Sequence, residues 1–320
     1  MHVRTKAVAV VAAAVLMAGC ELVDWGGHVG STQAFKEDFQ QSHPLKPGGR
    51  LSVENFNGVI EVAGWDRDTV DISGTKYAST PEMRDAVKID VAVLGNTVTV
   101  RTLKPTERRC NCGARYTIKV PRRTALDTVG TSNGSIRVED VEGTSRLRTT
   151  NGTVRAARLR GSLDATTSNG GVEIEDLDGA AIVRTTNGRV RANGVRGAIE
   201  ATTTNGGIQA QVVKSEASRP LRLGTTNGSI DLTLDSSATS DVHASTTNGG
   251  ITLRLPVSLN ARVRARTSNS SITTEFDVRS ETAPTRHRLE GTIGSGGPTL
   301  DLSTSNGSIK LLKSSKVPVV

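Results

Sequence analysis

From residue 129 onward, apolar and polar positions alternate on both sides of a recurring Asn, and the whole pattern then repeats. Four residues before the Asn stand Leu147, Ala165, Val183 and Ala201; two before stand Thr149, Thr167, Thr185 and Thr203. Three after come Val154, Val172, Val190 and Ile208, and five after come Ala156, Ile174, Ala192 and Ala210. A period of two is the signature of a β-strand, because successive side chains leave opposite faces. Each unit therefore predicts strand, turn, strand. One more apolar position falls eight after the Asn (Val141, Leu159, Leu177, Val195), with Gly two residues beyond it (Gly143, Gly161, Gly179, Gly197).

The turns centre on Asn133, Asn151, Asn169, Asn187 and Asn205, each 18 residues after the last. Asn227, Asn248 and Asn269 follow at spacings of 22, 21 and 21, and a last copy is Asn306; Asn57 is an early outlier. Asn-Gly between alternating runs is the usual hairpin signal, and hairpins would give an antiparallel sheet or sandwich. The constant period favours stacking, since only stacked coils require every second strand to repeat the same residue types in one register. The expected fold is all-β: a single parallel β-helix or β-solenoid with short Asn-Gly turns and about 18–22 residues per coil. Stacked coils lie about 4.8 Å apart, close enough for identical Asn side chains to form a ladder.

Charge agrees with that register. Nine residues after successive Asn come Glu142, Arg160, Asp178 and Arg196; seven after come Asp140, Arg158, Asp176 and then Gly194. In a parallel stack these are vertical neighbours of alternating sign, so a slip by one coil places like charges together.

Composition narrows the core. Aromatic residues are 2% of the chain, and none occurs between Thr117 and Glu275. Small and β-branched side chains must fill the interior, as suits a thin layered structure. The first residues read separately. His2, Arg4 and Lys6 precede the short apolar run Ala7–Met17, which is too short to span a bilayer, and Ala18-Gly19-Cys20 follows. This resembles a lipoprotein signal peptide with Cys20 as the lipidated residue, although Met17 stands where Leu is usual. The expected organisation is signal peptide 1–19, linker and tether 20–46, an N-terminal β segment 47–128 capping the solenoid, repeats 129–312 and a tail 313–320. The expected location is the extracytoplasmic face of the bacterial cell membrane. Removing residues 1–19 takes Arg4 and Lys6 and no acid, so the formal charge falls from +8 to +6. A charge that mild is read first as a solubility feature, with attraction to anionic lipid headgroups or acidic wall polymers as the alternative, and nucleic acid is not an expected partner of an exported chain.

Two further cysteines, Cys110 and Cys112, are read as a local disulfide stapling a turn, since disulfides persist outside the cytoplasm. Two free thiols, or half of a metal site lacking its other ligands, are the alternatives.

Several segments resemble a known family. Phe35 to Ala78, with Pro47-Gly48-Gly49-Arg50-Leu51-Ser52-Val53, Asn57-Gly58 and Gly64-Trp65-Asp66-Arg67, looks like its entry segment. The Thr-Ser/Thr-Asn-Gly units look like its body, and Gly294-Ser295-Gly296-Gly297-Pro298 running into Asn306-Gly307-Ser308-Ile309 looks like its closing coil. This is the bacterial putative-adhesin family of β-strand-repeat proteins, formally a domain of unknown function. The resemblance implies a β-helical fold and an envelope location, and brings no catalytic residues or cofactor. The Cys110/Cys112 pair is not part of its pattern.

Three functions are weighed. A polysaccharide-processing enzyme needs converging carboxylates or bases, but the acids fall in columns with arginines and the five His are scattered. Asp176-Leu177-Asp178-Gly179 lacks the other ligands of a calcium loop. An ice-binding face needs two outward Thr columns, whereas the repeated Thr has inward parity and the next outward column holds Arg148, Thr166, Arg184 and Thr202. There remains a non-catalytic scaffold for adhesion or binding, with an envelope protein or anionic wall polymer as partner. Its sharpest surface is Arg262, Arg264 and Arg266, which alternate with Ala261, Val263 and Ala265 and so share one strand face. Column pairing with Asp301 and Asp241 is the competing explanation of those arginines. The aromatic N-terminal part (Phe35, Phe39, Phe56, Trp65, Tyr77, Tyr116) reads as an end cap rather than a binding platform.

Overall fold

The computed structural model describes residues 35–106, 110–236, 239–280 and 283–314. Cys20 and the expected signal peptide lie outside the described residues. Every repeat sends its first strand to one sheet and its second to another. Ser145–Asn151 pairs in parallel with Leu163–Thr166, which pairs with Ala181–Arg184 and onward to Ile199–Thr203. Val154–Arg160, Val172–Asp178, Val190–Arg196 and Ile208–Lys214 do the same in the other sheet. The outcome is an all-β fold of two long, mostly parallel sheets with 14 and 13 strands. The strands flanking an Asn turn are never hydrogen-bonded partners, so the turns are not hairpins.

Register turns the repeat into columns. Leu147, Ala165, Val183, Ala201, Leu223, Ala244, Leu302 and Ala265 are consecutive neighbours down one sheet, all buried. Large and small residues alternate, so each Leu or Val projects beside an Ala instead of beside its own kind. Close packing without aromatic volume follows from that alternation.

The turn shows why Asn, Gly and Thr recur together. Each Asn Nδ2 donates to the Oδ1 of the preceding Asn at 2.7–2.8 Å, from Asn151 on Asn133 through to Asn248 on Asn227. Each buried Thr hydroxyl donates to the carbonyl of the Gly after the preceding Asn, as Thr185 does to Gly170 at 2.9 Å. That Gly is needed for closeness. A Cβ on Gly188 would stand 1.9 Å from the Gly170 oxygen, and one on Gly170 would stand 2.0 Å from the Gly152 oxygen. A type I′ hairpin would instead need left-handed backbone at the turn. Left-handed residues occur further on, at Asp140, Arg158, Asp176 and Gly194, with φ of 59°, 53°, 53° and 73°. The sequence presents that column as a charge pattern; its backbone conformation explains why Gly can take the fourth place.

Stack order departs from chain order at both ends. Thr299–Thr304 lies between Val242–Thr246 and Ala261–Thr267, and Ile309–Ser314 lies between Ile251–Pro256 and Ile272–Thr274. The Asn ladder accordingly runs Asn248, Asn306, Asn269. At the other end Gly49–Glu54 and Ile60–Trp65 lie between Thr97–Leu103/Gly113–Pro121 and Thr124–Asn133/Ile136–Glu139. A period reports which residues are equivalent, and it carries no information on the order in which equivalents stack.

Much of 47–128 supplies members of both sheets. Part of the expected tether is strand, because Phe35–Pro44 pairs antiparallel with Thr69–Ala78. The last strand runs on to Ser314, into the expected tail. Antiparallel strands, Phe35–Pro44 and Lys88–Leu94, end both sheets on one side; on the other, Arg288–Ile293 and Val278–Arg279 end one sheet and the parallel Ile272–Thr274 ends the other. Between the sheets at the first end Tyr116 is fully buried, its hydroxyl 2.6 Å from Thr102 and its ring edge-on to Phe39. Burial pushes the Tyr116 phenol up to about 12. Of the aromatic N-terminal residues, Tyr116 is fully buried, Phe39, Phe56, Trp65 and Tyr77 are half-buried, and Phe35 is exposed.

Candidate functional site

The alternation Ala261–Thr267 buries Ala261, Val263 and Ala265 and leaves Arg262, Arg264 and Arg266 exposed on the 14-stranded sheet. Register then gives the three arginines different surroundings. Arg264 lies between Glu290 and Asp301, Arg266 between Arg288 and Ser303, and Arg262 between Thr292 and Thr299. Glu290 accepts from Arg266 and from Arg288, both at 2.8 Å. Asp301 sits 3.6 Å from His243. Asp241, expected to face the arginines, instead accepts from the backbone N–H of Thr299 at 2.7 Å. A groove of about 460 Å³ opens beside Arg266 and Arg288, with His287, Ser303 and Thr246 also in its walls.

Paired guanidiniums favour the ionised carboxylate. The hydrogen bond from Arg288 first, then that from Arg266, holds Glu290 down at about 2. Because this lies below the ordinary value of 4.5, the folded-state contribution of the pair is complete above pH 4.5 and fades as pH falls through about 2. A carboxyl-carbon NMR titration is expected to find Glu290 still ionised throughout most of that window. In Arg288→Ser its midpoint should move up toward the ordinary value.

Sequence reasoning missed Glu290 and Arg288 as neighbours of the arginine strand, and Arg279 one strand beyond them. Arg288-Leu289-Glu290-Gly291-Thr292-Ile293 does alternate polar and apolar residues, so its strand character is readable. Its antiparallel pairing with Ala261–Thr267 is not.

The charge columns form a second polar feature. Arg158 donates to Asp140 at 2.8 Å, Arg160 lies 3.3 Å from Glu142, and Arg122 pairs with Asp66 at 2.8 Å. The Arg158 hydrogen bond, with Coulombic help from Arg158 and Arg122, keeps the Asp140 carboxyl below its usual range. No cluster of three or more His, Cys, Asp or Glu positioned for a metal occurs among the described residues. The Thr hydroxyls that an ice-binding face would require are buried and hydrogen-bonded to glycine carbonyls. Cys110 and Cys112 are disulfide-bonded to each other, with Cys112 packed against Ala78 and Val87.

A family model described as Toastrack DUF4097 matches residues 114–255 and again 226–312. Among solved structures, a putative adhesin from Bacteroides fragilis is 15% identical, with 86% of this chain and 97% of that chain covered at a TM-score of 0.41. A putative cell adhesion protein from Clostridium sporogenes is 11% identical, with 87% and 100% covered at 0.22. A putative lipid binding protein from Parabacteroides distasonis is 13% identical, with 87% and 96% covered at 0.32. No curated protein matches the chain.

Proposed function

We propose, from the premise that this chain belongs to the Toastrack DUF4097 family, that it is a non-catalytic binding scaffold of the cell envelope. Its two sheets form a single flattened β-solenoid, each repeat being one coil with one strand in each sheet. Lipid on Cys20 holds it at the extracytoplasmic face of the membrane, and its exposed arginine strand meets an anionic envelope polymer. The observation that carries this reading is the row Arg262, Arg264 and Arg266 standing exposed on a rigid, regularly hydrogen-bonded sheet. Guanidiniums held on such a surface suit repeated phosphate or carboxylate groups.

Replacing all three arginines by Ser is expected to abolish pull-down of isolated wall polymer by the purified protein. Unchanged recovery would reject the binding surface. The anchor is tested separately: Cys20→Ala should move the protein from the membrane fraction to the medium, and a variant that stays with the membrane would reject lipidation at that residue.

A further inference from the structure

Resting on that reading, we infer that the anion-binding centre is the pair Arg262 and Arg279 around Thr292, and that its ligand is a tetrahedral oxyanion, the phosphate of a polymer. Arg262 and Arg279 are both register partners of Thr292, one from each neighbouring strand. Thr299 is the next partner on the far side of Arg262. Along the sheet the row therefore reads Arg279, Thr292, Arg262, Thr299. Partners in register share a face, and Ile293, Val278 and Ala261 in the adjacent row turn toward the core. The two arginine strands flank one strand and so lie roughly 10 Å apart. A guanidinium on a long stem from either side has the length to reach the hydroxyl between them.

Arg262 and Arg279 make no ion pair among the described residues. Their neighbours differ: Arg266 and Arg288 are already bridged by Glu290, and Arg264 has an acidic residue on each side in register. In register, Arg262 has threonine on both sides and Arg279 has threonine on its paired side, whereas Arg264 lies between two acids. The turn beside Thr292 is rich in glycine. Gly294 and Gly296 adopt φ of 61° and 80°, which favours glycine, and a Cβ on Gly296 would press against the Thr292 methyl at 3.3 Å. Asn260 holds the turn by accepting from the Ser295 N–H at 2.9 Å.

The donor set selects the ligand class. A carboxylate presents two oxygens and is satisfied by one or two guanidiniums, as Glu290 already is. Two guanidinium forks with two hydroxyls between and beside them supply donors from more directions than a planar group can use. A phosphate sets its oxygens tetrahedrally instead of in one plane, so donors arriving from several directions each meet one.

The test uses the whole mature chain and two probes of matched charge, inorganic polyphosphate and polyglutamate, with binding followed by fluorescence anisotropy. Arg262→Ser and Arg279→Ser should each weaken polyphosphate binding about five- to tenfold. Arg222→Ser, which removes the same charge from the same sheet but outside the arginine strand, should change it less than about twofold. Polyglutamate should bind more weakly and respond equally to all three. Equal losses from Arg262→Ser and Arg222→Ser would reduce the effect to net charge and overturn the assignment, as would unchanged binding in Arg279→Ser. If Arg279→Ser is silent while the triple Ser variant loses wall polymer, the pair is wrong and the broader scaffold reading survives. If both are silent, both fall.

Discussion

Gly188→Ala is expected to destabilise the fold by about 3 kcal/mol or more, read as a fall in the denaturant midpoint. The new methyl carbon would lie 1.9 Å from the Gly170 oxygen, 2.5 Å from its carbon and 3.0 Å from the Gly171 nitrogen. All three atoms are backbone, so no side-chain rotation relieves the overlap and the two repeats must move apart. Three bonds cross that junction: Thr185 to the Gly170 carbonyl at 2.9 Å, the Asn187 amide to Asn169 at 2.8 Å, and the Asn187 N–H to Ser168 at 2.8 Å. Separation strains all of them together. Gly224→Ala is the control. Its Cβ would meet only side-chain atoms at 3.8 Å, so the change should be neutral or stabilising by about 0.4–1 kcal/mol. If Gly188→Ala behaves like Gly224→Ala, the close approach of repeats is not what selects glycine.

Truncation after Pro298 should release far more of the chain than it removes. The lost strands Thr299–Thr304 and Ile309–Ser314 are not the outer edge of either sheet; they separate the two repeats that precede them in sequence. Leu300, Leu302, Ile309 and Leu311 are fully buried there, together worth about 6–12 kcal/mol of apolar burial. Without them Ala261–Thr267 keeps only its antiparallel partner Arg288–Ile293, and Ile272–Thr274 keeps none. In hydrogen exchange, residues 261–293 should lose protection while repeats between Ile136 and Leu234 retain it, because neighbours alone couple along a stack. Retained protection in 261–274 would mean that this repeat docks directly on Val242–Thr246 and that the inserted order is dispensable. The proposed Arg262–Arg279 centre lies in the released part, so the truncated chain should also lose anion binding.

Much of this was legible in the residues. Period-two alternation assigned Leu147, Ala165 and Val183 to the interior and Arg262, Arg264 and Arg266 to the surface, because a pleated strand admits only two faces. Thr two residues before each Asn was assigned inward by the same parity, and it is buried. The candidate site was only partly legible. Arg264 and Arg266 read like Arg262 in sequence, and the partners that distinguish them come from residues 288–301, brought alongside by an antiparallel return and an inserted repeat. Neither event leaves a local trace, because strand pairing is chosen by long-range contact.

By itself, then, the sequence determined the strand character, the face of each side chain and the equivalence of repeats, all local consequences of backbone pleat and period. Only the tertiary structure decided which equivalent repeats touch, and in what order. Repeats this alike offer one another nearly interchangeable edges, so their order depends on end strands and connections far apart in the chain. That order is what leaves Arg262 and Arg279 beside threonines and the remaining arginines beside acids.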